Sequence, residues 1–536
     1  MRKLSERKKR WIERTIANDR SYKVMLYNRF FVILLSVMMQ LVGYALILYS
    51  IVYQSPLAIA LQALTFLLEI AFVLYILNEN ERPSMRLNWI IVILIAPVFG
   101  VPMYYFNGRG RPTRKMRKKL ENARAENRRT IESVQGTREV PCPATRADAI
   151  LRYLAVSANC PVYYDGTVDY YESGERAFES MLEELKKAEK FIFLEYFIIA
   201  HGKMWNEILK ILVEKAHLGV KIRIIYDNFG CMMTLPPRYS EYLESLHKNV
   251  RCLTFNKVVP FVAVRMNNRD HRKMLIIDGK VAFTGGYNLA DEYIGEKRRF
   301  GHWKDSGLKI TGVGVQSFTQ AFLDMWNAFY PTKEDIKAYL LPNKACVDED
   351  REKKGEFRLL PYDDCPLDAV NTGEAVYVDI IHRAQKYVYI FTPYLILDDA
   401  LRAALCRAAL RGVDVRIVTP GIPDKKLAYR LTRANYGILQ KAGVRIYEYT
   451  PGFIHAKSMV SDDECAVVGT INFDYRSLYH HFENAVYFAG CKAVENVKLD
   501  CENTFAISLE RTKENTKKSV FGRFIDCILR AFETLL

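Results

Sequence analysis

The segment His271-Arg-Lys273-Met-Leu-Ile-Ile-Asp278 returns later in the chain as His455-Ala-Lys457-Ser-Met-Val-Ser-Asp462. Both read H-x-K-x-x-x-x-D, and the agreement continues outward at matched offsets. Gly285 and Gly286 follow the first copy as Gly469 and Thr470 follow the second, and Asn288 and Asn472 then fall at equal distances from their histidines. One such motif arises by chance in roughly a few per cent of chains of this length. Two copies with the same downstream glycine and asparagine do not, so the chain contains two versions of one folding unit. Within each, an apolar stretch between polar ends is expected to be a buried strand with its functional groups at the rim. His and Lys two apart on a strand share a face. The glycines let the next segment come close enough for Asn to reach the same pocket.

The duplication is wider than the motif. Ala188-Glu-Lys-Phe-Ile-Phe resembles Ala384-Gln-Lys-Tyr-Val-Tyr, each a helix end running into a strand. Gly219-Val-Lys-Ile-Arg223 resembles Gly412-Val-Asp-Val-Arg416, each a helix stop followed by a strand. Helical segments at Met204 to His217 and Asp398 to Leu410 lie between them. Strands alternating with helices predict an α/β sandwich in each half. The halves are expected at 141–345 and 355–505, with the polar stretch Lys344 to Glu356 as the join and the two motifs at the seam.

These residue types belong together chemically. An imidazole can attack a phosphodiester phosphorus and form a phosphohistidine, dividing one displacement into two easier steps. A second, protonated imidazole can deliver a proton to the departing alkoxide and later take one from the incoming alcohol. Charge grows on the equatorial phosphoryl oxygens, where Lys273, Lys457, Asn288 and Asn472 are donors of the required kind.

The paired motifs resemble the phospholipase D superfamily. The stretches Asn268 to Lys280, Gly285 to Tyr293, Trp303-Lys-Asp305, Phe391-Thr-Pro-Tyr394, Gly452 to Lys457, Gly469 to Ser477 and Phe482-Glu483 are similar to bacterial cardiolipin synthases in particular. The likeness runs from about residue 57 to the C-terminus. It implies two pseudo-symmetric α/β halves and a catalytic set of His271, Lys273, Asp278, His455, Lys457 and Asp462. It also implies a carboxylate after each motif that holds the histidine's other ring nitrogen. Glu483 stands at the family's spacing in the second half, which pairs it with His455. In the first half that spacing falls on Arg299, and the acidic residue follows at Asp305, which is left to His271. By the same resemblance His271 is the nucleophile and His455 the acid and base. Ser461 replaces a usual apolar residue, and Thr470 a second glycine.

The implied activity is transfer of a phosphatidyl group between two phosphatidylglycerol molecules, giving cardiolipin and glycerol. The alternative is the same site used with water or another alcohol, as a phospholipase D or a different phosphatidyltransferase. No cofactor and no metal are expected, since two histidines suffice. The eleven cysteines are scattered without a C-x-x-C pair, which fits a reducing compartment and argues against structural zinc.

The front of the chain predicts a transmembrane hairpin. Residues 30–53 are uncharged and about 36 Å long as a helix, enough to cross a bilayer. A second run, 57–77, carries one charge, Glu69. A third, 89–106, is interrupted by Pro97, Gly100 and Pro102 and is expected to be re-entrant or interfacial. Basic segments at 1–29 and 107–140 flank this region, the second expected to be a linker. Both are predicted to be cytoplasmic, so two full spans and a cytoplasmic catalytic region in a multi-pass bacterial membrane protein follow. The net charge of +16 then meets anionic lipid head groups rather than nucleic acid. An oligomer is compatible with the sequence. The last stretch, 516–536, alternates apolar and charged residues at helical spacing, and is expected either to lie in the bilayer interface or to dock on the protein's own surface.

Overall fold

The computed structural model describes residues 38, 40–45, 48–49, 52–53, 56–79, 82–104, 114–135, 148–257, 267–341, 357–368, 370–512, 520–530 and 533. Two compact units are present: residues 1–111 with 258–267 and 527–536, and residues 112–257 with 268–526.

Alternation within the strands builds the larger unit. The first half contributes β1 (Val168–Tyr171), β2 (Phe191–Tyr196), β3 (Lys221–Asp227), β4 (Val250–Phe255), β5 (Lys273–Ile277), β6 (Val281–Gly285), β7 (His302–Lys304) and β8 (Gly307–Thr311). The second contributes β9 (Arg358–Asp364), β10 (Tyr387–Phe391), β11 (Asp414–Pro420), β12 (Arg445–Tyr449), β13 (Gly452–Ile454), β14 (Ser458–Ser461), β15 (Cys465–Gly469), β16 (Glu483–Ala489) and β17 (Ser508–Arg511). Fifteen of them form two large sheets, ordered β1-β8-β6-β5-β2-β3-β4 and β17-β12-β11-β10-β14-β15-β16-β9, and β13 and β7 form a separate two-stranded sheet. Strand for strand the orders correspond, with β17 as the addition. The motif strands β5 and β14 are interior in both sheets, each paired antiparallel on either side.

Both faces of each sheet are covered, so the strands read as continuous apolar runs. Phe191 and Phe193 join the central cluster while Ile192, Leu194 and Tyr196 join the outer one. Tyr387, Tyr389 and Phe391 likewise face the centre, with Val388 and Ile390 outside. Helices Val315–Phe329 and Lys492–Ala506 fill the central layer between the sheets. The expected pair of α/β sandwich halves is therefore present, packed face to face around shared helices.

Three boundaries differ from the sequence reading. The expected linker 107–140 contains helix Arg114–Gln135, which belongs to the catalytic unit. Leu120, Ala123, Asn127 and Ile131 form one buried stripe on it, Arg124 pairs with Asp363 and Asp368, and Asn127 donates to Asp324 at 2.7 Å. Dense charge on the other faces hides that stripe. Helix Asp148–Ser157, expected in the first half, sends Ile150, Leu151 and Leu154 into the core of the second. The second half also runs past residue 505, because β17 pairs with β12.

In the smaller unit, helix Pro56–Asn78 includes a 20-residue apolar segment, Ile59–Asn78, long enough to cross a membrane and only 6% buried. Of the predicted run 30–53, residues 38, 40–45, 48–49 and 52–53 are described and helical; the rest of it and the basic segment 1–29 lie outside the described residues. The third run is broken, as expected, into helices Pro83–Ile95 and Pro97–Met103, with the break at Ala96. Thirteen residues span about 20 Å, too short for a bilayer core. The two pieces approach so closely that a Cβ on Gly100 would lie 2.8 Å from the Ile93 Cα. Trp89, Ile93 and Tyr104 pack with Ile76 of the long helix.

Arg272, the unremarked middle residue of the first motif, is buried between the halves. Its guanidinium meets Asp363 at 2.6 Å and Glu195 at 3.5 Å, and its pKa is pushed up by Asp363, Glu195 and Asp270 against the opposing effect of burial. Removing one partner of a buried ion pair leaves the other charge uncompensated, typically at about 3–5 kcal/mol. Arg272→Ala is expected to lower stability by about that much in denaturant unfolding of the purified protein. A loss under about 1 kcal/mol would show that the cluster does not tie the halves together.

Candidate active site

Each histidine enters its site from a short bridge between the halves. Asp270 is bridged in parallel to Phe482, and β13 pairs in parallel with β7, placing Ile454 beside Lys304. The residue before each histidine is thus aligned with the residue before a carboxylate of the other half. Backbone bonds fix this register: His271 N–H donates to Phe482 O at 2.9 Å, and His455 N–H to Lys304 O at 2.7 Å.

The consequence is a crossed pairing. His271 Nδ1 meets both oxygens of Glu483, at 2.9 and 2.8 Å. His455 Nδ1 meets Asp305 Oδ2 at 2.8 Å. The sequence reading paired Glu483 with His455 and Asp305 with His271, each within its own half, and the structure reverses this. Spacing along the chain correctly found both carboxylates, but the parallel bridges carry each one across the seam. With Nδ1 held by a carboxylate, Nε2 is the ring atom left for chemistry at both histidines.

The surroundings of the carboxylates are matched but not identical. The Thr470 hydroxyl donates to Glu483. At the equivalent place stands Gly286, where a Cβ would come within 2.0 Å of Asp305 Oδ1. That Asp305 oxygen instead accepts from the Ser306 N–H at 2.8 Å. Asn484 ties the seam, accepting from Lys273 N–H at 3.0 Å and donating to the Thr284 hydroxyl at 2.7 Å.

The other expected residues divide into two groups. Lys273 and Lys457 are fully buried, and each ammonium donates to the carbonyl of its own histidine, at 2.8 Å for Lys273. Asn288 accepts from Ile198 N–H at 3.0 Å and donates to Tyr293 OH at 2.8 Å, and the Tyr293 ring is 5.5 Å from His455. Asn472 is buried beside Asp474, which it hydrogen-bonds. Asp278 and Asp462, expected in the catalytic set, are elsewhere. Asp278 stands just past β5, about 17 Å of strand away from Lys273. Its carboxylate accepts from the N–H groups of Glu189, Lys190 and Phe191 at 2.7–2.8 Å. Asp462 does the same for Gln385, Lys386 and Tyr387. Both adopt left-handed backbone, with φ of 54° and 56°. They lock the turn after the motif strand to the start of β2 or β10, which is why the pattern requires an aspartate there.

One residue of the site was missed. His481 lies with its ring 5.5 Å from His271 and its Nδ1 3.6 Å from Glu483. It stands two residues before Glu483, as Trp303 stands two before Asp305, and Trp303 lies 5.7 Å from His455. Aligning the carboxylates rather than the motifs would have exposed it. Ligand atoms of His271, His481 and Glu483 fall within 4.8 Å of one another. Those of His271 and Glu483 are already bonded to each other, so a metal there would displace that contact.

Burial dominates the electrostatics. It pushes the His271 imidazole well below its ordinary value, helped by Lys273 and His481. Burial and Lys457 bring His455 to about 4 against the pull of Asp305. Burial also lowers Lys457 to about 7 and Lys273 to about 8, and raises Glu483 well above the usual carboxylate range. Burial thus disfavours positive charge on the lysines, and an anion beside them would raise their proton affinity.

Two outcomes follow. Stability double-mutant cycles are expected to give coupling of about 1–3 kcal/mol for His271→Ala with Glu483→Gln and for His455→Ala with Asp305→Asn. The uncrossed pairs should be additive within about 0.5 kcal/mol, and the reverse pattern would refute the crossed geometry. Sulfate, whose charge is constant across neutral pH, should bind in a thermal-shift titration with affinity that falls as pH rises through 7–8. The sign follows from linkage: the bound form holds more protons, so raising pH opposes binding, by up to about tenfold per pH unit for each neutralised lysine. A flat profile from pH 6.5 to 9.5 would contradict the depressed lysines.

Comparison with known proteins places the chain in a family. The model of the cardiolipin synthase, PLD-like domain family matches residues 181–326 and 377–503, one segment in each half. A phospholipase D-nuclease N-terminal family model matches residues 67–109. A cardiolipin synthase of Alkalihalophilus pseudofirmus is 31% identical, covering 88% of this chain and 93% of its own. One from Geobacillus sp. strain WCH70 is 34% identical, covering 77% and 81%. An uncharacterised Streptococcus mutans protein is 41% identical over 87% of this chain and all of its own. Among solved structures, a phosphatidylserine synthase of Haemophilus influenzae shares the fold, with a TM-score of 0.54 at 14% identity, covering 73% of this chain and all of that one. With two matched domains, two complete histidine–carboxylate pairs and relatives aligned over most of its length, the chain belongs to the cardiolipin synthase family of phospholipase D superfamily phosphatidyltransferases.

Proposed function

We propose that the protein is a cardiolipin synthase that moves a phosphatidyl group from one phosphatidylglycerol to another, releasing glycerol, through a phosphohistidine. The observation that carries this reading is the pair of crossed imidazole–carboxylate contacts, which leaves two Nε2 atoms free beside two buried lysines. In the first step His271 Nε2 bonds to phosphorus as the bond to the glycerol head group breaks, and His455 gives its proton to the glycerol oxygen. In the second, His455 takes the proton of a glycerol hydroxyl on a second phosphatidylglycerol, whose oxygen bonds to phosphorus as the P–N bond breaks. Lys273, Lys457, Asn288 and Asn472 supply donors for the phosphoryl oxygens. The phosphodiester anion, on entering, raises the proton affinity of His455 and the lysines, so His455 takes up from solvent the proton it then gives to the leaving glycerol oxygen.

The membrane region fits a multi-pass anchor. The run 30–53 serves as a first span, helix Pro56–Asn78 as a second, and the broken pair Pro83–Ile95 and Pro97–Met103 as a re-entrant element. The basic segments keep the catalytic unit on the cytoplasmic side, where anionic lipids are both substrate and surroundings.

Incubating the purified protein with phosphatidylglycerol alone is expected to give cardiolipin and glycerol in equal amounts. Phosphatidic acid as the main product would instead assign hydrolysis. His455→Ala is expected to retain a phosphatidyl group on His271 in peptide maps of the quenched enzyme, and His271→Ala to retain none. An adduct on His455 would exchange the two roles.

A further inference from the structure

A route of exposed apolar and basic side chains leads away from His455. The N–H groups of Gly421 and Ile422 both donate to Gly452 O, at 3.2 and 3.1 Å. Gly452 opens β13, about 10 Å of strand before His455. Ile422 is exposed, and its Cδ1 closes over Gly301, 3.2 Å from where a Cβ would stand. Asp424 accepts from the Tyr394 hydroxyl at 2.7 Å, and Lys425 lies 5.2 Å above the Tyr394 ring. Helix Lys426–Ala442 begins there. Leu427 is exposed on the same face as Ile438 and Lys441, which stand about three and four turns further along. Arg430, on that same face, donates to Asp526 Oδ1 at 2.8 Å and to Gly522 O at 3.2 Å.

Those bonds dock the C-terminal helix, whose buried Asp526 faces the body while Val520, Phe521 and Phe524 stand 75%, 72% and 61% exposed. The two readings of this segment are thus compatible: one face docks and the other is left uncovered. Large apolar side chains held out in water this way are unfavourable relative to burial, and such clusters mark interaction surfaces.

We propose that Ile422, Leu427, Val520, Phe521 and Phe524 form a platform that inserts into the bilayer interface, with Lys425, Lys426 and Lys441 set against anionic head groups, and so opens the site directly onto the lipid phase. The proposal rests on the phosphatidyl-transfer reading. A phosphodiester can reach buried histidines while its acyl chains stay in hydrocarbon only if the mouth of the site meets the membrane. The continuity of the platform with β13 and its lysines favour a bilayer over a second copy of the chain, and the chain is already anchored by helix Pro56–Asn78.

The test is the full-length Phe521→Ser/Phe524→Ser variant, assayed on long-chain phosphatidylglycerol in proteoliposomes and on dihexanoyl-phosphatidylglycerol in detergent. Turnover on bilayer substrate is expected to fall about tenfold, the equivalent of weakening insertion by one partly buried aromatic, with turnover on the soluble lipid unchanged. Equal activity on both, or equal loss on both, would overturn the proposal, the second outcome meaning that the helix only supports the fold. A drop in assembly mass on substitution would assign the face to a second copy and overturn it as well. A readout independent of catalysis is Phe524→Trp, whose added fluorescence should be quenched by dibrominated lipid. Quenching of the Phe524→Trp variant, alongside a wild type that makes no phospholipid product, would uphold the platform and sink the activity, and no quenching would sink the platform alone.

Discussion

The imidazole–carboxylate contact across the seam is the interaction on which the rest of the catalytic unit depends. A buried histidine needs a fixed tautomer and a fixed ring plane, and the carboxylate supplies both. Glu483 and Asp305 reach the opposite half because Asp270 bridges to Phe482 and β13 to β7. Those bridges hold only if the sheets keep their relative position. The central helices Val315–Phe329 and Lys492–Ala506, the Arg272 cluster and helix Asp148–Ser157 all serve that requirement. What looks like packing between domains is part of the alignment of the reacting groups.

The electrostatic character of the site comes from desolvation working against charge. Two lysines and three histidines share a buried space with two carboxylates, and burial lowers the proton affinity of the cationic groups more than the carboxylates restore it. A cavity of this kind is a poor place for a cation and a good one for an anion that brings its own countercharge.

Much of this was legible in the sequence, for identifiable reasons. A duplicated H-x-K-x-x-x-x-D has strand periodicity written into it, and the β5 and β14 placements followed from Met274 to Ile277 and Met459 to Val460. The structure brings the two histidines, the two lysines and both carboxylates named from the sequence to the seam. Partner identity was not, because distance along the chain carries no information about which half a carboxylate will face. The aspartates of the motif were misjudged for a different reason. A side chain bound to three backbone N–H groups leaves no complementary residue type in the sequence to betray it. Arg272 and His481 were overlooked as variable positions within a pattern. The buried stripe of helix Arg114–Gln135 was obscured because three apolar residues among many charges look like a solvated helix.

Crossing also bears on how such a molecule could arise. A single half would carry its histidine without the carboxylate that orients it and its carboxylate without a histidine to hold. It would therefore be competent only when two copies met and exchanged those groups. Joining the halves in one chain removes the need for association, and it frees the two sides to diverge. Gly286 now stands opposite Thr470, Asp305 opposite Glu483, and Trp303 opposite His481. In a symmetric dimer any change on one side is imposed on the other, and both histidines must be equally able to attack and to shuttle protons. Within one chain the two can become specialists.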